Sequence, residues 1–118
     1  MKICLIALFL ISINFTIFAS AADQAAGRKV FQNTCATCHG PNGAGSPAGK
    51  SVGAPDLRSP KVQHDSDELW KQQVQNGKNN MPAFGALLSP EQIDSVVKYV
   101  RTFGSKSPGQ KPKPAAQP

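Results

Sequence analysis

The chain has 118 residues, 40% of them apolar and 17% charged, so it is long enough for one small globular domain. The net charge is +6, but much of the excess lies near the C-terminus, and residues 23–104 carry only about +2. The single tryptophan, the single tyrosine and the phenylalanines do not alternate with basic residues as they do in nucleic-acid-binding surfaces. We therefore expect no nucleic-acid partner, and we assign the charge to solubility and weak steering toward acidic partners, including membrane-bound complexes, or toward membrane headgroups.

Residues 1–22 have the pattern of a secretory signal peptide. Lys2 gives a positive start, residues 3–18 form a mostly apolar run, and small residues predict cleavage after Ala21 or Ala22. An uncleaved membrane anchor is the alternative, since the run approaches the ~20 residues that a span needs. Polar residues in the second half of the run favour cleavage. We expect a periplasmic or otherwise exported protein, membrane-anchored if the leader is retained.

A helix is predicted over residues 24–34, followed directly by a C-x-x-C-H motif made of Cys35, Cys38 and His39. Two thiols at this spacing can form thioethers with the vinyl groups of a haem, and the adjacent histidine then lies under the iron as an axial ligand. The motif predicts one covalently attached haem c per chain.

Two other functions of the cysteine pair are less consistent with the surrounding sequence. A thioredoxin-type dithiol lies in a strand–helix–strand context, whereas residues 40–60 contain five glycines and four prolines and are predicted to be a long loop. A structural zinc site needs a fourth ligand, and the remaining candidates are His64 and Cys4, the latter within the leader.

A second helix is predicted to extend to residue 76, capped by Asp65 or Ser66 and ended by Gly77. His64 precedes this helix in polar surroundings. We predict that it is a surface histidine, with iron ligation by His64 as the alternative.

Residues 76–88 are predicted to be irregular, and they contain Met81 in a polar segment with a glycine on either side. Pro82 restrains the preceding residue to an extended backbone. A lone methionine commonly fills a gap in an apolar core, but this one does not lie on an apolar helix face. Met81 is therefore the candidate sixth ligand, opposite His39.

The last helix has the clearest signals in the sequence. Ser89, Pro90 and Gln92 provide a cap, a proline at the first helical position and a capping box. The apolar residues that follow repeat at spacings of three and four: Ile93, Val96, Val97, Val100 and Phe103. Residues 105–118 contain four prolines, three lysines and no large apolar residue, so this tail is predicted to be disordered.

Over about residues 25–103 the chain resembles a class I c-type cytochrome, most closely the short soluble bacterial and photosynthetic carriers. The resemblance rests on four blocks in order: Cys35-Ala36-Thr37-Cys38-His39, Ala54-Pro55-Asp56-Leu57, Asn76-Gly77-Lys78 leading to Met81-Pro82-Ala83-Phe84, and Ile93 to Arg101. It implies an all-α fold for residues 23–104, with about three to five helices wrapped around one covalently attached haem. The first and last helices would cross near Gly27, Phe31 and Tyr99.

The resemblance also implies roles for residues around the haem. The Pro55 carbonyl would accept a hydrogen bond from the Nδ1–H of His39, which fixes the tautomer of the ligand. The residues that would line the haem are Leu57, Val74 and Phe84. Trp70 or Lys50 would meet a haem propionate. The proline-rich tail departs from the family pattern.

With His39 and Met81 both bound, the iron has no open position for a substrate. The expected function is one-electron transfer by a monomer that meets redox protein partners transiently, with no enzymatic activity and no small-molecule substrate. One alternative is a haem enzyme or a gas- or peroxide-reactive module with a displaceable sixth ligand. Another is a membrane-anchored cytochrome subunit of a larger complex.

Overall fold

The computed structural model describes residues 21–105, and within that range it contains five helices and no β-strand. Helix α1 covers residues 21–39, including a π-helical turn at Phe31–Cys35 and a last turn at Ala36–His39. The other helices are α2 (Pro47–Ser51), α3 (Pro60–Gln63), α4 (Asp67–Asn76) and α5 (Pro90–Arg101). The all-α prediction is confirmed.

The predicted leader, apart from its last two residues, and the predicted tail beyond residue 105 lie outside the described residues. Between residues 21 and 105, no helix combines the length and the apolar character that a bilayer crossing requires.

Helices α4 and α5 begin at their predicted caps, and α4 ends at the predicted Gly77, whereas α5 ends at Arg101, before the glycine at position 104. The Ser66 hydroxyl accepts a hydrogen bond from the Leu69 N–H at the start of α4, and Gly77, at φ 78°, ends that helix. Helix α5 begins with the complete capping box of Ser89 and Gln92. Side-chain caps therefore set the starts of α4 and α5, and the backbone freedom of glycine ends α4.

The prediction of a continuous loop over residues 40–60 is wrong, because α2 lies inside it and α3 begins at its end. Ser46 accepts a hydrogen bond from the Gly49 N–H at the start of α2, and Ser59 accepts one from Val62 at the start of α3. In both cases a proline follows the capping serine, as it does at Ser89. At α2, Gly45 lies before the cap and Gly49 lies inside the helix. Because glycine-rich segments usually indicate loops, the sequence analysis did not recognise the capping signal.

Helix α1 crosses α5 at Gly27, as predicted. A Cβ atom on Gly27 would overlap the Ser95 carbonyl oxygen and lie 2.8 Å from the Cβ of Tyr99, so no larger residue allows this approach. One turn later, the Phe31 ring lies 5.6 Å from that of Tyr99 and 5.2 Å from that of Phe103. These edge-on aromatic contacts fix the crossing.

The fully buried core is small and lies between α1, α4 and α5. Its apolar members are Phe31, Trp70, Val96, Val97 and Val100, and Ile93 is buried outside this cluster. Leu57, Val62, Met81 and Phe84 are half-buried, and Leu57 and Val62 pack against this core.

Candidate functional site

The C-x-x-C-H motif forms the C-terminal end of α1. Cys35 closes the π-helical turn, and Cys38 and His39 lie in the last α-helical turn. Residues three and four apart on a helix share a face, so the two thiols and the imidazole project to the same side. Both cysteines are free thiols, Cys35 half-buried and Cys38 exposed.

Burial shifts the pKa values of Cys35 and His39. It raises the pKa of the Cys35 thiol to about 11 and lowers the pKa of His39 below its ordinary value. Both shifts have the same cause, since a low-dielectric environment disfavours the charged form. His39 is therefore held as the neutral imidazole, which is the form that binds a metal.

One nitrogen of His39 has no protein partner. Nδ1 is buried and makes no hydrogen bond within residues 21–105, so the predicted bond to the Pro55 carbonyl is not formed in this structure. The backbone on either side of Pro55 is fixed by bonds from the Ala54 N–H to the Gly49 carbonyl (2.9 Å) and from the Leu57 N–H to the Gly43 carbonyl (2.8 Å). Pro55 itself is exposed between these two bonds.

The second helix forms a wall against the motif. A Cβ atom on Gly49 would overlap the Cys38 carbonyl oxygen, so α2 packs directly on the backbone of the attachment motif. Ser46 donates from its backbone N–H to that same oxygen at 2.9 Å and from its hydroxyl to the Thr37 carbonyl at 2.6 Å. The Gly45 N–H donates to the His39 carbonyl at 2.8 Å.

These bonds satisfy the carbonyl groups at the end of α1, which an isolated helix would leave to solvent. Sequence reasoning missed the roles of Ser46 and Gly49, although the Ser46-Pro47 pair carries the capping signal that finds α2.

Met81 lies in a tight loop anchored to the end of α4. Lys78 and Met81 exchange two backbone hydrogen bonds of 3.0 and 2.9 Å, and the turn between them places Asn79 at φ 52°. The Phe84 N–H donates to the Val74 carbonyl at 2.9 Å and ties the far side of the loop to α4. Met81 is half-buried.

The remaining predicted haem contacts occupy different surroundings. Leu57, Val74 and Phe84 are all half-buried, and Leu57 packs against the core. Trp70 is a core residue, and the guanidinium of Arg101 lies 3.8 Å above its ring, so packing within the protein accounts for its position.

The two polar candidates both lie on the surface. Lys50 is exposed and its alkyl chain covers Gly45. His64 is exposed, in agreement with its interpretation as a surface histidine.

Comparison with known proteins decides the family. The profile of the family described as cytochrome c oxidase, cbb3-type, subunit III matches residues 22–100. Cytochrome c6 of Synechococcus sp. is 44% identical over 89 residues, which cover 75% of this chain and 78% of that protein. The chain belongs to the class I c-type cytochromes.

Further relatives agree with this assignment. Cytochrome c6 of Thermosynechococcus vestitus is 39% identical over 105 residues, covering 89% of this cytochrome and 91% of the relative. The solved structure of the KustC0563 c-type cytochrome superposes with a TM-score of 0.64 at 32% identity, covering 67% of this chain and 98% of that one. The cytochrome therefore binds haem c covalently, carries electrons between protein partners that it meets transiently, and is not an enzyme.

The site observed in this cytochrome fits a haem. Two free thiols lie on the same helical turns as a half-buried imidazole whose pKa is lowered by burial, which is the donor set that covalent haem attachment and iron ligation need. Leu57 and Cys35 are half-buried and both pack against the core cluster.

Proposed function

We propose that this cytochrome holds its haem through thioethers to Cys35 and Cys38 and ligates the iron with His39 and Met81. The observation that carries the proposal is the position of Cys35, Cys38 and His39 on one face at the end of α1, with both thiols free. Met81 is the candidate for the opposite side because its side chain is half-buried in a mostly exposed loop that hydrogen bonds fix to α4.

When bound, the haem supplies a one-electron couple between Fe(II) and Fe(III). The protein contributes two neutral ligands, since burial keeps His39 uncharged and a thioether carries no charge. Leu57, Val74 and Phe84 would exclude water from the haem faces. Neutral ligands and an apolar pocket both disfavour the additional charge of Fe(III), so they raise the reduction potential. While both ligands are bound, no site is open for a substrate.

We further propose that the cytochrome is an exported, monomeric, freely diffusing carrier. Support comes from the leader pattern of residues 1–22 and from the similarity to cytochrome c6 over most of the chain. A docked subunit of a larger complex is the second candidate, because the matching family profile is described as an oxidase subunit. Cell fractionation separates the two: release with the soluble periplasmic contents supports a free carrier, and retention in the membrane fraction supports a subunit.

The ligand assignment is tested by the optical spectrum of the ferric holoprotein. A bond between methionine sulfur and Fe(III) gives a weak absorption band in the far red. We expect the band in the wild type and in the His64→Ala control, and we expect its loss in Met81→Ala. A band that survives in Met81→Ala, or that disappears in His64→Ala, would show that the assignment is wrong.

A further inference from the structure

The C-x-x-C-H motif and the Met81 loop belong to two separate parts of the structure. One part is the end of α1 with α2 packed on it, and this part ends at Val52, whose N–H donates to the Gly49 carbonyl at 3.1 Å. The other part is the loop from Gly77 to Gly85, which is attached to α4. If His39 and Met81 bind the same iron, the relative position of these two parts determines the distance between the ligands.

The hydrogen bonds of the loop are distributed unevenly. At its base, the Gly77 N–H donates to Gln73, the Phe84 N–H to Val74 and the Gly85 N–H to Gln75, all of them carbonyls of α4. At its tip, the Asn80 Nδ2 donates to the Val52 carbonyl at 2.9 Å. Among residues 21–105, this is the only hydrogen bond that joins the loop to the part carrying Cys35, Cys38 and His39.

We propose that Asn80 is a positioning residue for Met81. Its hydrogen bond to Val52, called the latch from here on, holds the loop against the wall formed by α2 and slows the departure of the Met81 sulfur from the iron. The inference rests on the proposed ligation by Met81. It adds that the neighbouring side chain controls how long the sulfur stays bound.

The geometry explains why Asn80 can act in this way. Met81 follows Asn80 directly and is tied to Lys78 by the paired backbone bonds of the turn, so the tip moves as one unit. Asn80 and Val52 are 28 residues apart in sequence and both are exposed, so the latch can open without disturbing the core. An exposed hydrogen bond between neutral groups contributes only modestly to the free energy of unfolding. The latch would therefore affect the rate at which the Met81 sulfur leaves the iron more than it affects folding.

The test measures ligand exchange in the ferric, full-length holoprotein, with imidazole as the probe at saturating concentration. In the exchange, the bond between Met81 Sδ and the iron breaks and a bond from an imidazole nitrogen forms, with no change of oxidation state. The rate is followed through the loss of the far-red band. We expect Asn80→Ala and Asn80→Asp to exchange about two- to tenfold faster than the wild type, because neither side chain donates to the Val52 carbonyl.

The matched control is Asn76→Ala. Asn76 is an exposed asparagine at the foot of the same loop, and its side chain makes no hydrogen bond in the described part of the chain. We expect the wild-type exchange rate for this variant. In Asn80→Ala, the Met81 amide should also exchange its hydrogen for deuterium faster, while the urea midpoint of global unfolding stays close to that of the wild type.

Three results would contradict the proposal that the latch positions Met81. They are a wild-type exchange rate in Asn80→Ala, an equal acceleration in Asn76→Ala, or an unchanged rate in Asn80→Asp beside a raised one in Asn80→Ala. If the wild-type protein shows the far-red band and any of these results occurs, the latch alone fails. If the wild type lacks the band, ligation by Met81 fails and the latch fails with it.

Discussion

Arg101 joins three elements at the side of the molecule formed by α3, α4 and α5. Its Nη1 donates to the Gln63 carbonyl at 2.6 Å, its Nη2 donates to the Asp65 carbonyl, and its Nε donates to the Asp67 carboxylate at 2.5 Å. The same guanidinium lies 3.8 Å above the Trp70 ring. A planar, permanently charged group with several donors can make all these contacts at once, whereas lysine cannot.

Replacing Arg101 by methionine should lower the free energy of unfolding by about 1–3 kcal/mol, since a stacked cation and its hydrogen bonds are lost together. Urea unfolding of the holoprotein measures the change. Arg28→Met is the control, because Arg28 is exposed on α1 and makes no ion pair within residues 21–105. A loss in Arg101→Met no larger than that in the control would contradict this account of Arg101.

At the scale of the elements, a helix could be predicted from the sequence when its caps and its apolar stripe occupy neighbouring positions in the chain. The capping box and apolar stripe of α5 occupy consecutive positions, so the sequence identifies that helix directly. Helix α2 has five residues and no apolar stripe, and its reason to form is its contact with the end of α1. The π-helical turn at Phe31–Cys35 extends α1 past the predicted end at residue 34, and the local sequence carries no signal for it.

Because α2 exists through that contact, Gly49→Ala should separate α2 from the motif. The added Cβ would overlap the Cys38 carbonyl oxygen, and overpacking of this kind costs about 1–3 kcal/mol. We expect a lower yield of haem-containing protein and a reduced urea midpoint. Ser51→Ala, an exposed position on the same helix, should have neither effect. Unchanged yield and stability in Gly49→Ala would mean that α2 does not support the motif.

At the scale of the whole molecule, the buried apolar core is small for a domain of this length. Only six apolar residues are buried in the described range, and five of them form the cluster between α1, α4 and α5. Small domains generally need a disulfide, a metal or a cofactor in addition to the core. Burial of a porphyrin against the half-buried residues near Cys35 and Met81 would supply the missing apolar contact.

Without haem attachment the chain should therefore lose most of its helical structure. Cys35→Ala/Cys38→Ala, which cannot form thioethers, should show a weak helical signal in far-ultraviolet circular dichroism and no cooperative thermal transition. Met81→Ala keeps both thioethers and should retain the helical signal. A fully helical, cooperatively unfolding double-cysteine variant would show that the protein core is sufficient by itself.

The sequence predicted the chemistry of the site better than its supporting contacts. Cys35, Cys38 and His39 are adjacent in the chain, so their spacing alone indicates what they bind. The roles of Asn80, Gly49 and Arg101 arise from contacts with residues 11 to 38 positions away, and no local pattern reports them. The predicted hydrogen bond between His39 and the Pro55 carbonyl is not formed in this structure for the same reason. A resemblance between motifs does not determine the distance between two segments that are far apart in the chain.

The most direct test of the account is a spectroelectrochemical titration of the wild type and of Met81→His. We predict one reversible one-electron transition in the wild type. In Met81→His we predict a midpoint potential lower on the order of 0.2 V, a fraction of the range of about 0.8 V that axial ligands span. A wild-type protein without a reversible one-electron transition, or the same midpoint in both proteins, would contradict a carrier whose iron is bound by His39 and Met81.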